Sequence, residues 1–375
     1  MDNRQLEILR QRAESDDAEA MWGLVTYYME HPEMQKTMYE DVEWIQRAAE
    51  LGHPDAMLHW GGYCQEHLDE PKAAEWFKKS LDAGNMAAAY YLGCYCKDGR
   101  GGLPTDLEQA ENYFRQSAEA EGFCEAAYEL YVCRKARVDS GECEDMGDAF
   151  DWLRSAKNGG YAPAQYELGR LLCDDGIEYL LLAAEQGHEQ AQRDIVAFYF
   201  WWGVIPETEQ GDRNYSIPHI CASKEGLKRI KESAKNKLPF AFALLADYYG
   251  RIGNYNAAVK YLKRGIKTDS EVGVCTWLYG YFFENNYGEL FPWDEESPDR
   301  CSRQSWASDF YAYSVMSGCK AALNDLIRCF LSEQGMVFIT TDAREEVEVQ
   351  YASESMLLRY RDCVKQYFYV LPDLL

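Results

Sequence analysis

A glycine-cornered motif recurs along this chain at constant internal spacing, and it constrains the fold more than any other feature. Its clearest copy runs from Ala48 to Tyr63, Ala-Ala-Glu-Leu-Gly-His-Pro-Asp-Ala-Met-Leu-His-Trp-Gly-Gly-Tyr. Gly52 stands where one helix ends, in the left-handed position that only glycine fills without a Cβ penalty. Four residues on, Ala56 opens a second helical period, with Trp60 and Tyr63 at offsets four and seven on one face. The same position is held by Gly84, Gly122, Gly160, Gly187 and Gly318, and by Lys237 and Ser270 in two copies that depart from glycine.

The helix after each corner, helix A, starts at Ala20, Ala56, Ala88, Ala126, Ala164, Ala191, Ala241, Val274 and Ala322. Offset four is apolar in the first eight copies: Leu24, Trp60, Leu92, Leu130, Leu168, Ile195, Leu245 and Leu278. Offset five is small in several, as Gly61, Gly93, Gly169 and Ala246, which lets a neighbouring helix approach closely at some cost in helix propensity. The helix before each corner, helix B, carries a bulky residue eight places back (Trp44, Trp76, Phe114, Trp152, Tyr179, Leu262, Phe310) and mostly a small one four back (Ala48, Ser80, Ala118, Ala156, Ala183, Ser233, Ser314). Arg229 breaks the bulky column. Bulky and small residues one turn apart suit ridge-into-groove packing, and their recurrence predicts stacked helical hairpins.

Residues 1–19 read as a capping half-repeat: an amphipathic helix with Leu6, Ile8, Leu9 and Ala13 on one side, ending at Ser15-Asp16-Asp17. The repeats run from 20 to 340. Two insertions, 201–223 and 284–304, separate helix A from helix B in their units, the second containing Phe291-Pro292-Trp293-Asp294. Long loops in repeat arrays collect on one edge and are often functional, with a decorative loop as the alternative. Asp342 to Glu345 resembles a capping box that opens a terminal helix, so 341–375 reads as the C-terminal cap.

These units resemble the Sel-one-like repeats, tetratricopeptide-type hairpins with an Ala-x3-Leu-Gly-x-x-Tyr helix A and a Trp-Tyr-x-Lys-Ala-Ala-Glu-x-Gly helix B. The residues that carry the resemblance are 41–63 (opening Asp-Val-Glu-Trp-Ile-Gln-Arg-Ala-Ala-Glu-Leu-Gly-His), 71–95, 178–192 (with Ala183-Ala184-Glu185-Gln186-Gly187-His188), and the glycine-rich loop Gly99 to Asp106. It covers about 20–330 and weakens beyond about residue 195. The fold that follows is all-α, an α/α superhelix: a right-handed solenoid of about eight hairpins capped at both ends. A cysteine-rich branch of the family pairs cysteines within each unit and has been linked to β-lactam binding. Ala49, Met57, Leu81 and Ala89 occupy the matching positions here.

The formal net charge is −25, from 38 Lys+Arg against 63 Asp+Glu, which argues against binding nucleic acid or anionic membrane surfaces without sequence preference. It favours a basic partner or serves solubility. The first residues lack a secretory h-region, and the longest apolar run, Ile195 to Pro206, falls short of the ~20 residues that span a bilayer. Thirteen scattered cysteines point to free thiols in a reducing cytoplasm.

No phosphate loop, nucleophile elbow or zinc-protease motif is present. His53 and His188 follow corner glycines and read as structural; His59, Cys64 and His67 invite a metal reading, but His59 and Cys64 point away from each other on the helix, so no metal or cofactor is expected. Two charge patterns carry the binding expectation. Offset three of helix A gives His59, Tyr91, Glu129, Glu167 and Asp194, with Asp247 nearby at offset six. In stacked hairpins these line the concave groove as an acidic stripe, or they form a solvated face. Lys224, Lys228, Lys231 and Lys235 put four cations on one face of a helix B, to meet an acidic partner or neighbouring carboxylates. Trp293 is the candidate within the second insertion.

A non-enzymatic scaffold or adaptor holding a protein or peptide partner in the groove accounts best for these features. The alternatives are an immunity or inhibitor protein that neutralises a basic toxin and, on family analogy alone, a hydrolase or β-lactam-binding enzyme.

Overall fold

The computed structural model describes residues 3–31, 40–120, 123–172, 176–204, 217–268 and 272–284, with single positions between 307 and 325. The corners Gly122, Ser270 and Gly318, Trp293 and the C-terminal cap lie outside the described residues. Residue contacts divide the chain into two compact units, Met1–Leu168 and Gly169–Leu375. The architecture is all-α, of the α/α solenoid class.

In the first unit the cap is α1 (Asn3–Glu14), followed by α2 (Ala18–Glu30), α3 (Glu40–Glu50), α4 (Pro54–Glu66), α5 (Glu70–Asp82), α6 (Ala87–Asp98), α7 (Leu107–Ala118), α8 (Cys124–Asp139), α9 (Ala149–Asn158) and the start of α10 (Ala162–Leu171). Even-numbered helices are helices A and odd-numbered ones after α1 are helices B, and each helix from α1 to α8 packs on the next. The second unit holds α11 (Ile177–Glu185), α12 (Glu189–Trp202), α13 (Lys224–Lys235), α14 (Pro239–Arg251), α15 (Tyr255–Gly265) and α16 (Val274–Glu284). Here α14 packs against α12, α13, α15 and α16, so its residues from Pro239 to Asp247 are all buried.

The described corners are Schellman turns. Gly52 has φ 95°, its N–H donates to the Ala49 carbonyl, and the His53 N–H reaches back to the Ala48 carbonyl, both at 3.0 Å. The same bond pair closes Gly84, Gly160 and Gly187. It also closes Lys237, which adopts φ 61° despite its Cβ, and Asp16, φ 62°, at the end of the cap helix. Lys237 therefore keeps the geometry that its sequence position predicts, with added backbone strain. After the turn, the next residue often caps helix A. Asp17 accepts from the Ala20 N–H, and the Nδ1 atoms of His53 and His188 accept from Ala56 and Ala191. That is the structural role expected of these histidines.

The helix A–helix B contact follows the small-to-bulky rule. A Cβ added at Gly61 would stand 2.7 Å from the Phe77 ring, and one at Gly93 2.7 Å from the Phe114 ring. Both rings are fully buried, each contributing about 2–3 kcal/mol of apolar burial. The bulky column is shifted by one residue in most units. Ile45, Phe77, Leu153, Leu180 and Ile230, seven places before their corners, are the buried residues. Trp44, Trp76 and Trp152 sit half-buried beside them under cations: Arg47, Lys79 and Arg115 lie 5.0, 4.0 and 5.6 Å from the respective rings. Arg229 thus belongs to the outer column, and the core beneath it is kept by Ile230.

The insertion at 201–223 is described at its two ends only. Gly203–Val204 and Ile217–Pro218 form a two-residue parallel pair, and a short turn at Ile220–Ala222 leads into α13. His219 locks this base: it is fully buried, its Nδ1 accepts from the Cys221 N–H, and its Nε2 lies 3.4 Å from Asp247 Oδ2. Arg251 bonds Asp247 at 3.0 Å and donates to the Phe200 carbonyl at 2.6 Å.

Candidate protein-interaction surface

The helix-A column at offset three begins with two aromatic contacts. His59 lies 4.9 Å from the Trp22 ring, and burial there pushes its imidazole pKa down, favouring the neutral form. Tyr91 stacks on Phe77 at 4.8 Å and remains about a third exposed. The next two positions are carboxylates, and neither is a free charge. Glu129 accepts from Lys97 Nζ at 2.8 Å, and Glu167 accepts from Lys135 Nζ at 3.0 Å and from the Tyr131 hydroxyl at 3.2 Å. Glu129 and Glu167 keep only 17% and 16% of their side-chain exposure, so these bonds offset much of the cost of desolvating them.

Lys97 and Lys135 both stand at offset nine of their own helix A, and each reaches offset three of the next. Gln65, also at offset nine, accepts from the Tyr95 hydroxyl at 3.3 Å. These bonds tie successive helices A into one continuous face. The sequence contained the signal, a lysine six residues after offset three in two consecutive repeats, and single-column reading missed it. The acidic stripe is therefore a charge-compensated surface, not an unpaired one. It is flanked by partly buried tyrosines, with the Tyr128 ring 5.4 Å from Tyr161 and Tyr90 5.5 Å from Tyr91. Burial pushes the Tyr128 phenol up to about 12, so it stays protonated as a donor.

The remaining candidates fall in the second unit, in different settings. Asp194 accepts from Gln190 Nε2 at 2.8 Å on its own helix. Asp247 is buried and belongs to the His219–Arg251 lock at the insertion base, so it contributes to folding and not to an exposed stripe. Lys224, Lys228, Lys231 and Lys235 are all exposed on α13. Lys235 pairs with Glu232 at 2.7 Å, and the other three have no carboxylate partner among the described residues. The nearest acids of α11 are engaged by Arg229, which bonds Glu185 at 2.7 and 2.8 Å and Glu178 at 2.8 Å.

No cluster of three or more metal-ligating side chains occurs among the described residues. The described cysteines are free thiols, and burial pushes Cys133 up to about 12, against a reactive thiolate. No helix among the described residues is long and apolar enough to cross a membrane.

Comparison with known proteins bears on the repeats. The family description "Sel1 repeat" matches residues 42–53, 54–85, 87–121, 162–188 and 243–267. Among solved structures, the chain is similar to a protective antigen of uropathogenic Escherichia coli that displays an SLR fold. That match has a TM-score of 0.52 at 17% identity and covers 92% of this chain and 76% of that one. It is also similar to a Sel1 repeat protein from Oxalobacter formigenes, with a TM-score of 0.46 at 19% identity, covering 86% of this chain and 90% of that one. No curated protein matches the sequence. At 17% identity the first of these likenesses speaks to the fold alone.

Proposed function

This chain is a Sel1 repeat protein, and on that premise we propose that it is a non-enzymatic scaffold that holds a protein partner against the helix-A face of its first unit. Proteins built of Sel1 repeats generally serve protein–protein interaction. The observation that carries the placement is the pair of bridges Lys97–Glu129 and Lys135–Glu167, which fix consecutive helices A as one surface. That surface presents Tyr91, Tyr90 and Tyr128, and tyrosine supplies large contact area with a polar tip and little rotamer entropy to lose, as interfaces favour. Because the carboxylates are already compensated, the face calls for shape and hydrogen-bond complementarity more than for a cationic partner. The free thiols, including the half-buried Cys94, Cys124 and Cys143, suit a reducing cytoplasm.

Affinity capture from the native host tests this reading. One variant combines Tyr91→Ala, Glu129→Gln and Glu167→Gln; a second combines Lys78→Ala and Lys79→Ala on helix B of the same region. A partner enriched by the wild-type chain is expected to be lost with the first variant and kept with the second, with far-UV circular dichroism unchanged in both. Loss with the second variant alone would place binding on the other side of the hairpins.

A further inference from the structure

The exposed face of α13 carries a row of lysines. At 100° per residue, Lys224, Lys228, Lys231 and Lys235 fall within an arc of about 60°, over a rise of about 16 Å. Gly226, Ile230, Ser233 and Ala234 are buried on the opposite side of the helix, so the lysine row points outward. Glu225 and Glu232 flank the row on its α11 side, and Glu232 neutralises Lys235 alone. Both also line a shallow groove of about 610 Å³, together with Glu185, Lys228, Arg229 and Ser233. Arg229 holds both Glu178 and Glu185, so α11 has no carboxylate left for the lysines.

In a chain with 25 more acidic than basic residues, carboxylates are abundant and most described arginines are ion-paired. Among the described residues Lys224, Lys228 and Lys231 have no ion-pair partner, and together they leave a locally positive face. The geometry points to this lysine row as a docking surface for an acidic protein segment, one presenting carboxylates about every turn over three turns. Charge complementarity selects that occupant. A polyanion such as DNA, or an anionic bilayer, would face the net charge of the whole protein as well as the row. A short acidic segment interacts mainly within a Debye length of about 8 Å, where the local charge is positive. The surface lies on helix B of the second unit and does not depend on the helix-A reading above.

Fluorescence anisotropy tests it with the full chain and a labelled twelve-residue peptide of alternating glutamate pairs and alanines. Binding is expected at low ionic strength and should weaken by roughly tenfold towards 0.15 M salt. The variant with all four lysines changed to alanine should bind at least ~10-fold more weakly, since exposed charge pairs each contribute about twofold or more. The Lys→Arg version at the same four sites should bind as the wild type does. These side chains are exposed, so the thermal unfolding midpoint should be unchanged in both variants. Equal binding by the alanine variant, or no peptide binding by the wild type, overturns the proposal. So does stronger binding to duplex DNA or phosphatidylserine vesicles than to the peptide.

Discussion

Two adjacent glycines in α4 should respond differently to the same substitution. Gly61 and Gly62 both have ordinary helical backbone, so replacing either with alanine gains about 1 kcal/mol of helix propensity. At Gly62 a Cβ meets nothing within 4 Å, and the gain is realised in full: Gly62→Ala should stabilise by about 1 kcal/mol. At Gly61 the Cβ would stand 2.7 and 2.8 Å from Phe77 Cε1 and Cδ1. That ring is fully buried, packed with Leu92 and Tyr95, and cannot swing away as a surface side chain could. Overpacking of this kind costs about 1–3 kcal/mol, so Gly61→Ala should be neutral to destabilising by roughly 2 kcal/mol after the propensity gain. Urea denaturation should give midpoints on opposite sides of the wild type, or with Gly61→Ala at best unmoved, at unchanged slope. Adding Phe77→Leu to Gly61→Ala should recover part of the loss as a favourable coupling in the double-mutant cycle. If Gly61→Ala stabilises as much as Gly62→Ala, the close helix A–helix B approach is wrong.

Lys237→Gly should stabilise by about 1 kcal/mol, read as a raised unfolding midpoint, because it removes the Cβ strain of a left-handed turn. Asp148 is held down to about 2 by its bond to Arg115, with a further bond from the Trp152 indole. Its folded value lies below the unfolded one of ~3.9, so its stabilising contribution is present above pH ~4 and is lost as pH falls towards 2. Carboxyl NMR titration should show that value, and Arg115→Gln should return it towards 3.9; an unmoved midpoint would refute the pairing. Lys97→Glu should lower stability by about 1–2 kcal/mol by placing two carboxylates together, and the swap Lys97→Glu with Glu129→Lys should restore most of it. Thermal melts of the single and double variants check this, and an equally unstable swap would refute the bridge.

The sequence by itself determined the helix boundaries. Gly52, Gly84, Gly160 and Gly187 end their helices because a Schellman turn needs a left-handed residue, and that requirement is local. It fixed even the exception, since Lys237 sits at the right distance from Ala241 and takes the same turn. The capping roles of His53 and His188 followed from the same spacing. What only the tertiary structure decided is the rotation of each helix about its axis. A helical period locates an apolar face to within about one residue, or 100°, and cannot say which of Trp76 and Phe77 faces inward. Packing against Gly61 chose Phe77, and it left Trp76 outside beneath Lys79. The same limit governs the candidate surface. Offset three could be read along one column, but whether Glu129 and Glu167 stand free depends on Lys97 and Lys135, which reach them across repeats. Charge at a surface is a property of neighbours in space, and the stacking of one hairpin on the next determines those neighbours.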